Sequence, residues 1–309
     1  TLMLIAHVEQ DGVWIVEGGM QRLAEALAAL AERLGVRLRL NAEAEEIELN
    51  GGRAAGVRLC SGERIEASTI VCNADPSALA AGLFGERAAR AIGGAGGAAR
   101  SLSAITWAAQ AETDGLPLLR HNVFFSDDYA AEFDTLQRGA LPGDATIYVC
   151  AQDRDESGEA HGSERLLILA NAPPCGDTRP LTSSELDACA MNMMTRLRRC
   201  GVKVTPQTMT RTAPSDFHAL FPATGGALYG RATHGWAASF QRPGARTKLP
   251  GLYLAGGGVH PGAGVPMASL SGQLAARRIL QDRASTPRFR RAATPGGTST
   301  RSAMTNSTA

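Results

Sequence analysis

The stretch Gly251-Leu252-Tyr253-Leu254-Ala255-Gly256-Gly257-Gly258-Val259-His260-Pro261-Gly262-Ala263-Gly264-Val265-Pro266-Met267-Ala268 decides the fold. Leu252 to Ala255 is a short apolar run of the kind that forms a buried strand. It delivers the chain to three glycines that have no Cβ, so the backbone there can approach a ligand closely. Pro266 then opens a helix carrying Leu270, Leu274 and Ile279, whose free N–H groups and positive dipole end aim back at the same place. Strand, glycine turn and helix start together suit a pyrophosphate or an electron-rich cofactor ring. The full G-x-G-x-x-G fingerprint fails here, because with Gly256 and Gly258 as its first two glycines the third place is Pro261. It occurs nowhere else in the chain.

Upstream, Val13-Trp14-Ile15-Val16 runs into the turn Gly18-Gly19, and Leu23, Leu27, Leu30 and Leu34 then recur at helical spacing until Gly35. This Ala-rich stripe from Met20 reads as core. Val36 to Leu40 alternates with period two and predicts a strand. Further strands are predicted at Ala44–Leu49, Ala54–Cys60, Arg64–Ala67 and Thr69–Cys72. Between them lie Asn50-Gly51-Gly52 and Ser61-Gly62-Glu63, both turn sequences. From Ser77 the texture changes to a small-residue stretch (Gly93 to Ala99), strands at Leu102–Ala108, Thr146–Cys150 and Leu166–Ala170, and a helix from Ser184 to Cys200 capped by Ser183. Asp153 to Glu159 reads as a solvated charged loop. Thr212 to Leu249 is loop-rich, and the chain beyond Asp282 is too poor in large apolar residues to pack.

The 309 residues suffice for two domains of roughly 150 each. Thirty-one Lys and Arg face thirty Asp and Glu, a net charge of +1 that argues against a nucleic-acid partner. No apolar run reaches the roughly 18 residues of a spanning helix. The six cysteines are dispersed without metal-ligand spacing, so neither a metal site nor a disulfide framework is expected. The first residue is Thr1, inside an apolar segment, which reads as a chain whose N-terminal part is missing.

Gly256 to Pro266 resembles the C-terminal flavin signature of the carotenoid desaturases related to phytoene desaturase, usually with Thr where Val259 stands. Glu17-Gly18-Gly19-Met20 is similar to that family's central Gly-Gly motif, and Ile70 to Pro76 to its segment returning to the flavin domain. His121 to Tyr129, Tyr148 to Asp153, Gly225 to Gly230 and Met267 to Gly272 resemble the branch that dehydrogenates hydroxyneurosporene. The resemblance implies an α/β, FAD-binding Rossmann-like fold lacking its N-terminal dinucleotide loop, with a mixed α+β substrate domain. Residues 1–76 and 211–281 are expected to belong to the FAD-binding domain, 77–210 to the substrate domain, and 282–309 to a disordered tail.

The function so implied is FAD-dependent 3,4-desaturation of a 1-hydroxylated acyclic carotenoid. Gly256, Gly257 and Gly258 are expected against the ribityl and pyrophosphate region, and Pro266, Met267 and Ala268 at the isoalloxazine end. Val259 would contribute backbone contacts, and Ala44 would offer its backbone to the adenine. His260 either polarises a substrate or caps a backbone group. No carboxylate can be assigned as general base, and the electron acceptor is not legible. The enzyme is expected to sit peripherally on the cytoplasmic face of the membrane. Arg288, Arg290 and Arg291 could touch anionic lipid or serve only as a solvated tail. Other readings are a phytoene desaturase or carotenoid ketolase, or a non-catalytic protein that keeps the fold for binding. Because the βαβ unit that takes the pyrophosphate is absent, residues 1–309 alone are expected neither to hold FAD nor to desaturate.

Overall fold

Short strands separated by glycine turns build the first part of the chain. The computed structural model describes residues 9–10, 12–92, 99–154, 162–232 and 241–285. The opening Thr1–Ala6, most of the Gly93–Ala99 stretch, most of the Asp153–Glu159 run, the three tail arginines and residues 286–309 lie outside these. The chain runs α1 (Met20–Arg33), β1 (Ala44–Asn50), β2 (Arg53–Leu59), β3 (Arg64–Glu66), β4 (Ile70–Cys72), α2 (Pro76–Ala80) and α3 (Glu86–Ala89). β1, β2 and β3 form an antiparallel sheet. Its first hairpin turns at Gly51 and Gly52, with φ of 57° and 78°, the left-handed pair that a two-residue hairpin demands.

Two expectations from this region are corrected. The stripe of α1 is not core: the helix buries no side chain, and Leu27 is 56% and Leu34 76% exposed. The alternating segment Val36 to Leu40 is not a strand. The cause is common to both. A helix buries its apolar stripe, and an alternating segment becomes a strand, only against a partner, and among the described residues neither has one that buries it. Arg39 instead forms a two-pronged ion pair with Glu63 at 2.8 and 2.7 Å.

The second part contains β5 (Ser103–Gly115), β6 (His121–Phe124), α4 (Tyr129–Gln137), β7 (Ile147–Ala151), β8 (Glu164–Ala172), α5 (Ser183–Arg199), β9 (Val202–Thr212) and α6 (Pro214–Leu220). Its strands make one antiparallel sheet in the order β6-β7-β8-β5-β9. Period-two alternation gives the sheet two faces. One carries Ile105, Trp107, Val149 and Ile168, which pack with Leu186, Met193 and Leu197 of α5 in the larger core. The other carries Thr106, Ala108, Tyr148, Cys150, Leu167 and Leu169, none of them fully buried.

α2, α3, α4, β6, β9 and α6 were not anticipated. β9 holds Pro206, which argues against a strand, but it is an edge strand with a bulge opposite Gln110 and Ala111, where proline is tolerated. The chain closes with β10 (Leu252–Leu254) and α7 (Val265–Ser285), so the last helix runs past Asp282, where the tail was expected to begin. β10 lies parallel to β4, with Leu252 opposite Ile70 and Leu254 opposite Cys72. A smaller core gathers Ile47, Ala54, Cys72, Leu79, Leu252, Leu254 and Val259 around this pair.

α5 begins with a reciprocal cap, one residue earlier than expected: Thr182 Oγ1 accepts from Glu185 N–H, and Glu185 accepts from Thr182 N–H at 2.9 Å. The Thr182 N–H, with the Arg179 guanidinium and Thr182 hydroxyl, holds the Glu185 carboxyl down at about 2. A depressed carboxylate stabilises the fold above its ordinary value of 4.5 and loses that contribution as pH falls toward 2. Glu185→Ala should therefore lower the melting temperature by a constant amount between about pH 7 and pH 5, and the gap to the parent should close as pH falls from about 4.5 to 2. A gap that does not change with pH would show that the carboxylate charge is not what caps the helix.

Candidate functional site

The parallel strands β4 and β10 end side by side and release two segments, Asn73-Ala74-Asp75-Pro76 and Ala255-Gly256-Gly257-Gly258. Ligands of open α/β sheets bind at such carboxyl ends. The segments are stitched together: Asn73 Nδ2 donates to Ala255 O at 2.8 Å, and Ala255 N–H to Cys72 O at 3.2 Å. A Cβ on Gly256 would lie 2.6 Å from Asn73 Nδ2, and φ there is +126°. A Cβ on Gly258 would lie 2.6 Å from Pro76 Cδ and 2.8 Å from Asp75 Oδ2. At Gly257 it would meet only Ala263, at 3.6 Å. Two of the three glycines are thus required by the protein's own packing, and Gly257 is the one with room beside it.

The rest of the turn is anchored from below. Gly256 N–H donates to the buried Ser271 hydroxyl on α7 at 3.1 Å. The Val259 side chain is fully buried in the smaller core, and its N–H donates to Gly256 O at 3.1 Å. Of its backbone groups, the carbonyl is what remains for a ligand, which narrows the role expected of Val259. α7 follows Gly262 and Gly264, at φ of +140° and +106°, and its first bond runs from Ala268 N–H to Gly264 O at 2.8 Å. Pro266 carries no N–H, and the first-turn N–H groups of Val265 and Met267 have no intrahelical acceptor. The turn and the helix start bring together Gly256 to Val259 and Pro266 to Ala268. Ala44 stands elsewhere, at the start of β1 opposite Leu59. His260 donates its N–H to Pro243 O at 2.9 Å.

Three residues complete the geometry: Arg242, which the sequence does not mark, and Asp75 and Gly230, which lie within stretches already quoted. Arg242 donates to Gly257 O at 3.1 Å, to Tyr229 O at 2.8 Å and to Arg231 O at 3.3 Å. Burial lowers its guanidinium pKa from the ordinary value, while Asp75 opposes that shift. Asp75 accepts from Ser77 N–H at 2.9 Å and the Ser77 hydroxyl at 2.6 Å, capping α2. Gly230 has no Cβ because one would lie 2.9 Å from Asp75 Oδ2 and 3.6 Å from Gly258 Cα. Residues 228–232 in turn pair with the lead-in to β5, through Leu228 N–H to Leu102 O at 3.1 Å and Ser101 N–H to Gly230 O at 2.8 Å. The glycine turn is thereby tied to one end of the five-stranded sheet. Gly230 belongs to the Gly225–Gly230 stretch already singled out, but nothing in the sequence distinguishes Arg242 from other loop arginines.

A cradle with an unfilled glycine flank and a helix N-terminus fits a flavin's phosphate and ring region. A model of the family described as flavin containing amine oxidoreductase matches residues 2–280. The chain belongs to this family. Its cofactor is accordingly FAD, as the motif led us to expect. The chain is 53% identical over 309 residues to a hydroxyneurosporene desaturase of Rubrivivax gelatinosus, covering 99% of this chain and 59% of that protein. It is 48% identical to the hydroxyneurosporene desaturase of Cereibacter sphaeroides, covering 93% of this chain and 58% of the relative. The chain therefore spans under three fifths of either relative's length. These relatives uphold the resemblance to carotenoid desaturases. In fold it is similar to an oxidoreductase from Methanosarcina mazei, with a TM-score of 0.52 at 17% identity, covering 85% of this chain and 54% of that one.

The packing separates the three glycines experimentally. Gly258→Ala should destabilise the protein by about 1–3 kcal/mol through overpacking, and Gly256→Ala comparably, whereas Gly257→Ala should stay within about 0.5 kcal/mol of the parent. Denaturant unfolding of the three variants checks this. Equal losses at all three positions would mean that Gly257, too, is held by the protein's own packing.

Proposed function

We propose that the protein is an FAD-dependent carotenoid desaturase that introduces the C3–C4 double bond of a 1-hydroxylated acyclic carotenoid. The observation that carries this is the glycine turn with its open Gly257 beside the start of α7, in a chain so similar to hydroxyneurosporene desaturases. In this reading the backbone of Gly256, Gly257 and Gly258 and the Val259 carbonyl lie along the ribityl and pyrophosphate region. Pro266, Met267 and Ala268 face the isoalloxazine end, and the Ala44 backbone meets the adenine. Bound FAD supplies the hydride acceptor that no amino-acid side chain offers.

The chain's own part is to orient the polyene and exclude water. On the less buried face of the five-stranded sheet, Ala108, Leu167, Leu169 and Val123 form an apolar patch, with Leu169 and Val123 level with Thr106 toward the end tied to the glycine turn. The two cores support a division into a flavin unit and a substrate unit. Because Leu79, Ala88 and Ala91 pack in the smaller core, the first boundary belongs after Ile92 rather than at residue 77.

Carotenoids dissolve in lipid, so the enzyme works from the membrane surface, and we place it on the cytoplasmic face. No helix among the described residues is long and apolar enough to cross a membrane. The test is to offer the full-length protein 1-hydroxyneurosporene or phytoene in lipid vesicles. The expected result is a red-shifted absorption spectrum from the hydroxylated substrate alone, with the protein floating with the vesicles. Product from phytoene would reassign the protein to the phytoene desaturases, and no spectral change with either would refute the reading.

A further inference from the structure

Two of the stretches that mark the branch, His121 to Tyr129 and Tyr148 to Asp153, are far apart in the loop structure between them but adjacent in the sheet. β6 and β7 pair antiparallel, with His121 opposite Cys150 and Val123 opposite Tyr148. His121 and Tyr148 are therefore diagonal neighbours on one face, within reach of each other's rings. His121 Nδ1 lies 2.7 Å from the Tyr148 Oη, and the rings stack with centroids 6.1 Å apart and planes at 18°. The face is the open one that also bears Leu167, Leu169 and Ala108. On it this dyad borders the apolar patch of Val123, Leu167 and Leu169, with Thr106 and the β9 threonines Thr210 and Thr212 on the far side.

We propose that the His121–Tyr148 dyad receives the terminal hydroxyl of the carotenoid and so sets both substrate preference and the bond that reacts. This rests on the functional reading above. The argument starts from hydrogen-bond inventory. Burial, together with the neighbouring Cys150 thiol, pushes the Tyr148 phenol up to about 12, so it keeps its proton at neutral pH. One proton then lies between Oη and Nδ1. If Tyr148 donates to Nδ1, the neutral imidazole keeps Nε2–H as a donor and the phenol oxygen keeps a lone pair. If Nδ1–H donates to the phenol, Tyr148 O–H is the donor and Nε2 the acceptor. In either tautomer the dyad presents donor and acceptor groups, with the phenol also hydrogen-bonded to the Cys150 thiol, and an alcohol needs one of each.

Position supports the same role. A hydroxyl on C1 is separated from the C3–C4 bond by C2 alone, so a group that holds it must stand beside the reacting bond. Tyr148 is level with Leu169 and Thr106, next to Ile147, Ala170 and Ile105. That is the end of the sheet where the lead-in to β5 pairs with residues 228–232, and where a Cβ on Gly230 would lie 3.6 Å from Gly258 Cα. Anchoring the only polar group of an otherwise featureless polyene there fixes its register along the sheet. A site built to pair a hydroxyl also rejects the analogue lacking one, because its own polar groups are left unpaired.

The test compares kcat/KM of the full-length enzyme on 1-hydroxyneurosporene and on neurosporene, which lacks the hydroxyl, for the parent, Tyr148→Phe and His121→Leu. The parent should prefer the hydroxylated substrate by at least about 100-fold, and each variant should shrink the ratio to under about 10-fold. The loss should fall on the hydroxylated substrate alone, with flavin content and melting temperature unchanged. His121→Gln, which keeps a donor and an acceptor, should restore much of the preference. If the parent is selective and both variants keep its ratio, the dyad assignment is wrong and the functional reading stands. If the parent turns over both carotenoids equally, there is no selectivity for the dyad to supply, and the assignment also fails. If the parent desaturates neither, the functional reading itself falls.

Discussion

The close approach of two chain segments at the carboxyl ends of β4 and β10 governs how this molecule is built. Asn73-Ala74-Asp75-Pro76 presses so near Gly256 and Gly258 that neither position has room for a Cβ. This contact closes the smaller core above Leu252 and Leu254 and places Asp75 at the start of α2. It leaves Gly257 as the glycine of the three whose Cβ would meet no atom nearer than Ala263, at 3.6 Å. The glycine turn therefore has two separate physical reasons for its composition. Two glycines serve the protein's own packing, and the third leaves space.

From that point rigidity spreads by directed hydrogen bonds. Ser271 holds the turn to α7, so the helix start and the turn keep one relative position. Arg242 gathers three carbonyls from two segments around the turn. Arg100 does similar work a little farther out, through a two-pronged pair with Asp177 at 2.7 and 2.6 Å and contacts to Pro174 O and Ala223 O. A side chain on Gly225 would collide with Arg100. Among the described residues after α6, arginine-pinned turns thus join the five-stranded sheet to the glycine turn. A polyene lying on that sheet would be held against a fixed cofactor position, which is what a hydride transfer over a short distance requires.

How much of this was legible in the sequence depended on whether the signal was local. The hairpin at Gly51-Gly52, the strand into Gly256 and the helix opening at Pro266 are short-range patterns, and all three are present, the helix beginning one residue earlier at Val265. Thr182 displaced Ser183 as the cap by one residue, since either hydroxyl suits the role and only the Glu185 spacing decides. The failures concern partners. Val36 to Leu40 has a strand's alternation, and α1 has a helical stripe, but neither finds a surface to cover. Pro206 hid β9, because its tolerance at an edge depends on sheet order. In the site, the glycines were visible, yet their reasons were not: Asn73 and Pro76 lie some 180 residues away along the chain, and Arg242 acts only through carbonyls, which leave no mark in a sequence.

The central proposal is that Gly257 and the first turn of α7 make the nearest flavin contact, while Gly256 and Gly258, whose backbones line the same region, are fixed by the protein's own packing. The most direct measurement is a crystal structure of the full-length protein with FAD bound. The account predicts flavin atoms in van der Waals contact, about 3.5–4.0 Å, with the Gly257 Cα, and a flavin oxygen or nitrogen accepting from the Met267 N–H. A flavin well ordered elsewhere, with Gly257 facing solvent and the α7 N–H groups bonded only to water, would contradict it.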